Sequence, residues 1–486
     1  MPSMGHESPT RRRFLQTAGV GALALLAGCG GSGDADGPDA ATASGEPGGA
    51  PPATDRPGGA TTPTIAARDD VVDLVTAGAD PTGEISVNQT IENEFEDGAT
   101  LLFPPGEYFL DPIGLAGSNW SLVGQDATLV VPDYVDRNWL ALDGAGWTVE
   151  GLTVDLRAEN AAPVNFLRGT DWAFRDVEFV GQMADPDYRS GNLLYPEVQA
   201  QDATGLIEGV RAMDGSADVG ESSNRAMTWF GQNNRGTLTW RGCSFSGWAE
   251  NTLYGANSAG RLVVDDCLFR NTNVGVRVGG NSVVRGCRFD QRGPVPIQRW
   301  TGDSNARGIW INSNEYTAGE VLVDDCTFLM TGPDASAAVN GDNAVDDVTV
   351  RDCRIVQGND WPAVTIPGDG ALRMERTVVT GSTREPAVEL ANRDGSVIAD
   401  SCVQKRGAGV RIVDSANCRI VDSTVDVAGE PFSFENASVE TTGVSLRGGC
   451  SAPFDGSRSG ESPSDWSILP TATVRPPGRP TGRKRR

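Results

Sequence analysis

Between residues 122 and 425 the chain repeats one short pattern of apolar and polar positions. An apolar residue stands three positions before a small residue, Gly or Asp comes directly before it, and a second apolar residue follows two positions after it. Typical copies read TVEGLTV at 148–154, TWRGCSF at 239–245, VVRGCRF at 283–289 and LVDDCTF at 322–328. Twelve copies occur at spacings of 20 to 39 residues, and LVGQDA at 122–127 is the first and weakest.

This pattern predicts a strand, a corner and a second strand in every copy. Gly and Asp tolerate the backbone that a corner needs, and the flanking β-branched and aromatic residues favour strands. A helical solenoid would show a 3.6-residue period, and a propeller blade needs about 40 residues. The spacing therefore predicts an all-β chain folded as a parallel β-helix of about 12 coils.

Stacked coils place equivalent residues above one another, about 4.8 Å apart. We expect one internal ladder of phenylalanines and one of cysteines. The two ladders comprise Phe179, Phe245, Phe269, Phe289 and Phe328, and Cys243, Cys267, Cys287, Cys326 and Cys353. Parallel side chains in one ladder favour packed thiols over bridges. Cys402, Cys418 and Cys450 lie off that ladder and can include one disulfide. The sequence has no CxxC spacing, so we do not expect a metal site.

The N-terminal part of the repeat region resembles a known superfamily. Residues 86–98, with Ile91 and Phe95, form an amphipathic pattern that predicts a short helix capping the core. GADPTG at 78–83, this helix, LLFPPGEYFL at 101–110 and the coils together resemble the pectate-lyase-like superfamily of right-handed parallel β-helices. The resemblance spans roughly residues 70 to 450. That superfamily includes polysaccharide lyases, glycoside hydrolases, epimerases and adhesins.

The N-terminus resembles an export signal. TRRRFLQ at 10–16 and the apolar run that follows resemble a twin-arginine signal, and LAGC ending at Cys29 resembles a lipobox. This resemblance implies export of the folded chain and lipid attachment at Cys29, which would be its only contact with the membrane. We expect a signal peptide at 1–28, a Gly- and Pro-rich linker at 29–65, the β-helix at 66–450 and a disordered tail at 451–486.

Composition narrows the function classes. The chain has 65 acidic and 40 basic residues, a net charge of −25, so we do not expect it to bind nucleic acid. Only two lysines are present, and an acid-rich, lysine-poor chain is typical of salt-adapted proteins. The single histidine, His6, lies in the leader, so the mature chain has none for general-base or metal work.

The strand before each corner carries one residue that should point outward. On this reading one outer face of the β-helix presents Trp229, Arg277, Trp310, Thr365, Glu389 and Arg411. Leu253 or Tyr254 occupies the coil between the first two. The longest spacings, 33, 33 and 39 residues, all lie between residues 177 and 326, and long insertions in a solenoid are commonly binding loops.

Aromatic rings stack on sugars, and arginine grips carboxylates. The face therefore suggests a groove for an acidic polysaccharide or cell-surface glycan, bound by a monomer. The candidate substrate-binding residues are Trp229, Tyr254, Trp300, Trp310, Asn273 and Glu250.

The superfamily resemblance adds candidate catalytic residues. Several polysaccharide lyases of this fold use an arginine to abstract a proton, beside calcium held by carboxylates. The resemblance implies Arg277 or Arg307 as the base, and Asp290 or Asp303 as ligands of a Ca²⁺ cofactor. A glycosidase using two of Asp290, Asp303 and Glu250 is the alternative enzyme. Arg277 on a merely solvated strand, within a non-catalytic binding module, is the alternative to both.

Overall fold

A computed structural model describes the repeat region of the chain. The described residues are 71–133, 138–184, 191–218, 226–296, 305–312, 318–342 and 345–450. They contain 39 strands and one helix. The predicted leader, linker and tail, with Cys29, lie outside them, as do Trp300 and Asp303. Within the described part, no helix has the length and apolar character that a membrane crossing requires.

The elements follow one another with short connections. Those up to residue 212 are β1 (Val71–Asp73), α1 (Asn88–Glu94), β2 (Thr100–Phe103), β3 (Gly106–Phe109), β4 (Ile113–Ser118), β5 (Ser121–Val130), β6 (Leu140–Ala145), β7 (Thr148–Asp155), β8 (Asn165–Gly169), β9 (Trp172–Arg175), β10 (Glu178–Val180), β11 (Leu194–Val198), β12 (Thr204–Glu208) and β13 (Arg211–Ala212).

The central elements are β14 (Thr228–Trp229), β15 (Thr237–Arg241), β16 (Ser244–Ser246), β17 (Asn251–Tyr254), β18 (Arg261–Asp265), β19 (Leu268–Arg270), β20 (Val274–Val278), β21 (Ser282–Arg285), β22 (Arg288–Gln291), β23 (Arg307–Ile311), β24 (Val321–Asp324), β25 (Thr327–Met330) and β26 (Val339–Gly341).

The remaining elements are β27 (Val348–Arg351), β28 (Arg354–Gln357), β29 (Val364–Pro367), β30 (Leu372–Glu375), β31 (Val378–Gly381), β32 (Val388–Ala391), β33 (Val397–Ala399), β34 (Cys402–Lys405), β35 (Val410–Val413), β36 (Cys418–Val421), β37 (Thr424–Val427), β38 (Phe432–Glu435) and β39 (Val439–Thr442).

The strands form a parallel β-solenoid, as predicted. A 13-stranded sheet runs from β4 to β38, and a 26-stranded sheet contains the two strands that flank each corner. In the coil of β20, for example, the chain passes from the smaller sheet to β21, turns the corner and continues as β22. The solenoid has about 14 turns rather than the predicted 12. The motif misses coils at both ends, where β1 precedes its first copy and β39 places Thr441 at the apolar position.

The corner chemistry accounts for the recurring Gly and Asp. In the eleven regular copies, the residue before the small position has a positive φ; these residues are Gly151, Asp176, Gly209, Gly242, Asp266, Gly286, Asp325, Asp352, Arg376, Asp400 and Asp422. Only Gly, and to a lesser degree Asp and Asn, adopts this left-handed conformation readily. Arg376, at φ 43°, is the exception. Its guanidinium donates two 2.7 Å hydrogen bonds to Asp352 in the preceding coil.

The predicted register of the weakest copy is wrong. In the first copy, Leu122 rather than Val123 aligns with Val149, and Ala127 rather than Gln125 aligns with Leu152. The cause is a β-bulge between Val123 and Ala127, where Asp126 takes the left-handed conformation. A bulge adds residues to one strand without changing the partner strand, so a fixed-offset motif loses register there.

The interior follows the predicted ladders. Phe269 stacks on Phe289 with ring centroids 5.0 Å apart, and Phe289 stacks on Phe328 at 4.7 Å. Ala212 stands between Phe179 and Phe245 in the same ladder and interrupts the stack. All five ladder cysteines are free and buried, and Cys418 is as well. The disulfide joins Cys402 to Cys450.

Two glycines inside outer-face strands, Gly275 in β20 and Gly308 in β23, make room for this ladder. A Cβ at Gly275 would lie 2.8 Å from the ring of Phe289, and one at Gly308 would lie 2.8 Å from the ring of Phe328. Each ring belongs to the same coil as its glycine. Glycine at these two positions of the Gly-apolar-x-apolar strands is therefore matched to the aromatic core.

Helix α1 covers the N-terminal end of the core, as predicted. Ile91 is buried, and Phe95 meets Trp120 edge-on at 5.5 Å. Trp120, Trp147 and Trp172 then stack from coil to coil at 5.5 and 5.1 Å.

Arg393 is completely buried among the turns of the C-terminal coils. Its guanidinium donates four hydrogen bonds to backbone carbonyls, those of Val345, Asp346, Asp369 and Ala371. One side chain thus ties together two preceding turns of the solenoid.

Candidate functional site on the outer face of the smaller sheet

The outer face of the 13-stranded sheet carries a continuous row of aromatic and polar side chains. We call it the outer row; it consists of Phe166, Tyr195, Trp229, Tyr254, Arg277, Trp310, Asn340, Thr365, Glu389 and Arg411. The predicted outward residues are confirmed on one face, and Tyr254 rather than the buried Leu253 fills the ambiguous position. The structure adds Phe166, Tyr195 and Asn340, which the sequence interpretation missed.

The aromatic part of the outer row forms a partly exposed strip. The rings of Phe166 and Tyr195 stack with centroids 5.0 Å apart, and Tyr195 meets Trp229 edge-on at 5.9 Å. The strand alternation that exposes these rings buries their neighbours, as Leu194 and Thr228 show. Rings in this arrangement offer apolar surface on which sugar rings can stack.

Arg277 lies at the end of this strip, between two aromatic rings. Its guanidinium carbon is 4.4 Å from the ring centroid of Tyr254 and 3.8 Å from that of Trp310. One of its terminal nitrogens donates a 2.9 Å hydrogen bond to Oδ1 of Asn312. The position is too enclosed for a merely solvated surface arginine.

Asp342 completes this cluster. Its carboxylate accepts a 2.9 Å hydrogen bond from Nε1 of Trp310 and a second hydrogen bond from Nδ2 of Asn312. A connected network therefore runs from Arg277 through Asn312 and Asp342 to the indole, and it fixes the orientation of each group.

Arg307 enters the cluster from the start of β23. Its guanidinium carbon lies 4.4 Å from the ring centroid of Trp310. Burial lowers the pKa of Arg307 to about 10, with a smaller contribution from repulsion by Arg277, while the charge of Asp342 opposes the shift. Burial also lowers the pKa of Arg277, against the opposing charges of Tyr254, Asp342 and Glu250.

Arg277 and Arg307 differ from most other arginines of the solenoid. Among the described residues, neither guanidinium forms an ion pair with a carboxylate. Arg411, in the same row, forms ion pairs with Glu389 at 3.4 Å and Glu435 at 3.2 Å. The cluster therefore holds two enclosed cations whose partner can be an anionic ligand.

Two other predicted site residues are not part of the cluster: one lies in the larger sheet, and the other is hydrogen-bonded to the backbone. Asp290 is on β22, in the larger sheet, and its carboxylate binds Arg292 at 2.6 Å and Arg288 at 3.6 Å. Asn273 is buried and donates a 2.9 Å hydrogen bond to the carbonyl of Ala249. The structure therefore does not bring Asp290 together with Arg277, and it gives Asn273 a backbone partner.

Glu250 is buried immediately before β17. Its Oε2 accepts a 3.3 Å hydrogen bond from Nδ2 of Asn251. Its charge raises the pKa of Arg277, which places it in the electrostatic surroundings of the cluster. Among the described residues, no group of three or more His, Cys, Asp or Glu side chains is arranged to hold a metal ion.

A cavity of about 400 Å³ lies beside the other end of the aromatic strip. It is lined by Arg168, Glu197, Gln199, Asn233 and Arg235. The Arg168 guanidinium lies 4.0 Å from the centroid of Phe166 and pairs with Glu197 at 3.2 Å. Sequence interpretation missed this cavity because its lining comes from three coils without a shared motif; the alternation in NFLRG and LYPEV was its only signal.

Comparison with solved structures places this fold among known β-helices. The chain is similar to the A-module of a mannuronan C-5 epimerase from Azotobacter vinelandii, with a TM-score of 0.50 and 13% identity over 77% of this chain and 98% of that one. It is also similar to a surface adhesin of Streptococcus pneumoniae, with a TM-score of 0.50 and 14% identity over 74% and 91% of the two chains. No family model matches the sequence, and no curated protein matches it significantly. At these identities the likeness establishes a shared parallel β-helix fold.

Proposed function

We propose that this protein binds an acidic polysaccharide along the outer row, with Arg277 and Arg307 gripping a carboxylate of the sugar chain. The observation that carries the proposal is the convergence of these two arginines at Trp310 without a carboxylate partner among the described residues. Arginine binds carboxylates through charge-assisted hydrogen bonds, which are stronger where water is excluded.

The rest of the row fits a polymer. Tyr195, Trp229 and Tyr254 are half-buried, so each offers ring surface to a ligand. One similar structure is a mannuronan epimerase and another is a surface adhesin, which makes cell-surface and uronate polysaccharides the first ligands to test. The net charge of −25 repels a polyanion at long range, but 1 M salt reduces the range of this repulsion to about 3 Å.

The cluster also supports a lyase-type cleavage. In such a step, a neutral Arg307 removes the proton from the carbon next to the uronate carboxylate. The freed electron pair forms a C=C bond with the adjacent carbon, whose C–O bond to the neighbouring sugar breaks, and the departing oxygen takes up a proton. Arg307 is the better base because its pKa lies at about 10, whereas Arg277 is held by Asn312 and positioned to neutralise the carboxylate.

Non-catalytic binding is the second candidate. The lowered pKa of Arg307 also supports this candidate. A guanidinium with a pKa of about 10 stays charged near neutrality, so it suits binding of an anion more than proton abstraction. We further propose that the protein acts outside the cell, anchored by a lipid on Cys29, on the basis of the TRRRFLQ and LAGC segments.

Binding is tested with Arg277→Ala and the matched variant Arg411→Ala, both from the outer row. We expect Arg277→Ala to lower the affinity for uronate oligosaccharides about tenfold to a hundredfold, measured by titration calorimetry at high salt. The reason is that a charge-assisted contact contributes about 1.5–3 kcal/mol. Arg411→Ala should leave affinity unchanged, since its guanidinium is already paired. Equal affinities for both variants would refute the proposal.

The pH dependence of the cleavage rate and of ligand binding distinguishes a lyase from a binding protein. A lyase product carries a C=C bond conjugated to the carboxylate and absorbs in the ultraviolet. The rate should rise about tenfold per pH unit towards pH 10, as Arg307 loses its proton, whereas binding to the cation weakens in that range. Retained binding without any absorbance increase would exclude the lyase and leave the binding protein.

A further inference from the structure

We infer that the cavity beside Phe166 is a second anion-binding subsite, which takes a further acidic group of the same polysaccharide. The inference rests on the proposed function and extends it from one contact to two. The cavity is lined by the coils of β8, β11 and β14, which lie four, three and two coil steps from the Arg277 coil, or about 10–19 Å along the solenoid axis.

The charges of the cavity leave one cation available. Glu197 is buried, and its carboxylate pairs with Arg168 at 3.2 Å and accepts a hydrogen bond from Nδ2 of Asn233. Arg235 is exposed at the same cavity and forms no ion pair among the described residues. The lining is therefore cationic overall, while Gln199 and Asn233 add amide donors.

The frame of the cavity is held by buried polar contacts. Asn234 is completely buried, accepts a 2.8 Å hydrogen bond from the backbone of Val198 and donates a 2.7 Å hydrogen bond to Ser258. The backbone N–H of Arg235 also donates to the carbonyl of Val198 at 2.7 Å. These contacts fix the loop that carries Asn233 and Arg235 against the end of β11.

The tryptophan stack supports the other wall. Nε1 of Trp147 donates to the carbonyl of Arg168 at 2.8 Å, and Nε1 of Trp172 donates to the carbonyl of Glu197 at 3.3 Å. Two buried indoles thus hold the backbone of both charged residues. A site fixed in this way loses little conformational entropy when it binds.

The two ends of the aromatic strip are built alike. At one end the Arg168 guanidinium lies over Phe166, and at the other the Arg277 guanidinium lies over Tyr254. The strip between them offers ring surface to the sugars that connect two acidic groups. Once a long ligand is bound at one end of the strip, its binding at the other end is intramolecular. This second contact can raise the overall affinity about a hundredfold or more.

The test compares uronate oligosaccharides of increasing length on the full chain and on three variants. Arg235→Ala removes the unpaired cation of the cavity, Arg277→Ala removes the first contact, and Arg419→Ala removes an exposed arginine on β36 as a control. We expect wild-type affinity to rise with length until the ligand spans both ends. Arg235→Ala should lose most of that rise, about tenfold or more for long ligands, and should keep the affinity for the shortest ones.

The outcomes separate the two proposals. If Arg235→Ala keeps the full length dependence while Arg277→Ala weakens binding, the second subsite is wrong and the proposed function stands. If only Arg235→Ala matters, the subsite stands and the assignment of Arg277 is wrong. No binding to the wild-type chain contradicts both. Protection of Arg235 from an arginine-specific reagent by long ligands, measured by mass spectrometry, gives an independent readout.

Discussion

Arg393 provides a quantitative test of how the coils are held together. The substitution Arg393→Met keeps an unbranched side chain of similar length and removes the guanidinium. Four carbonyls then lose their donor, at distances that are now 3.1, 3.1, 2.6 and 3.0 Å. The acceptors belong to residues 345–346, 369 and 371, so the loss falls on two successive turns.

The magnitude follows from two opposing contributions. Each hydrogen bond from a charged donor contributes about 1.5–3 kcal/mol, so four contribute about 6–12 kcal/mol. The desolvation of a buried guanidinium opposes this by several kcal/mol. We therefore expect the free energy of unfolding to fall by about 4 kcal/mol.

The assay is urea unfolding combined with native-state hydrogen exchange, because a solenoid opens locally and each coil contacts only its neighbours. Amides in 345–375 should exchange faster in Arg393→Met, while amides in the coils of β5 and β7 keep their protection. Arg419→Met, at an exposed position, is the control. A loss below about 1 kcal/mol with unchanged exchange would refute the reasoning.

Three further predictions concern the corners, the disulfide and a buried lysine. Asp400→Ala should cost about 1–2 kcal/mol in urea unfolding, because its φ of 49° disfavours alanine, whereas Asp400→Gly should be nearly neutral; equal losses would contradict this. Replacing both Cys402 and Cys450 by Ser opens a 48-residue separation and should cost about 4 kcal/mol; a reducing agent that destabilises the double variant as much as the wild type would argue against it. Lys405 donates to Thr383 and to the carbonyl of Glu385, and burial lowers its pKa from 10.5 to about 8. Since the unfolded chain then binds more protons between about pH 8 and 10.5, Lys405 makes stability rise with pH there by about 3 kcal/mol; Lys405→Met should lack this rise, and parallel pH curves for the two chains would refute it.

The sequence predicts the fold well because one steric requirement recurs in every coil. The left-handed corner admits Gly and Asp, and the positions around it must be apolar, so the pattern is visible without any long-range information. The same local logic predicts which residues of the outer row point outward. It fails at the bulge after Val123, and at the terminal coils, where one side of the coil has no neighbour to cover it.

The site is harder to predict because its partners come from different coils. Asn312 and Asp342 are 35 and 65 residues from Arg277, and no short motif links them. The superfamily resemblance implies Asp290 as a calcium ligand, yet its strand belongs to the larger sheet and its charge is already paired. The local sequence around Arg393 carries no signal of burial, because the carbonyls that bind its guanidinium come from two preceding turns.

The cysteine ladder sets the order in which this chain must fold and oxidise. Nine cysteines in an unfolded chain allow many incorrect cross-links, but stacking of the coils buries five of them in one row. Oxidation needs a thiolate that an oxidant can reach, and all five ladder thiols are buried. Burial raises the pKa of Cys243, Cys287 and Cys326, whereas at Cys267 the effect of burial is outweighed by hydrogen bonds with neighbouring thiols, which lower its pKa. Coil stacking before exposure to oxidant therefore protects the ladder and leaves Cys402 and Cys450 to pair at the edge. Refolding under reducing conditions followed by oxidation should give the native chain, whereas refolding in an oxidising buffer should give scrambled disulfides.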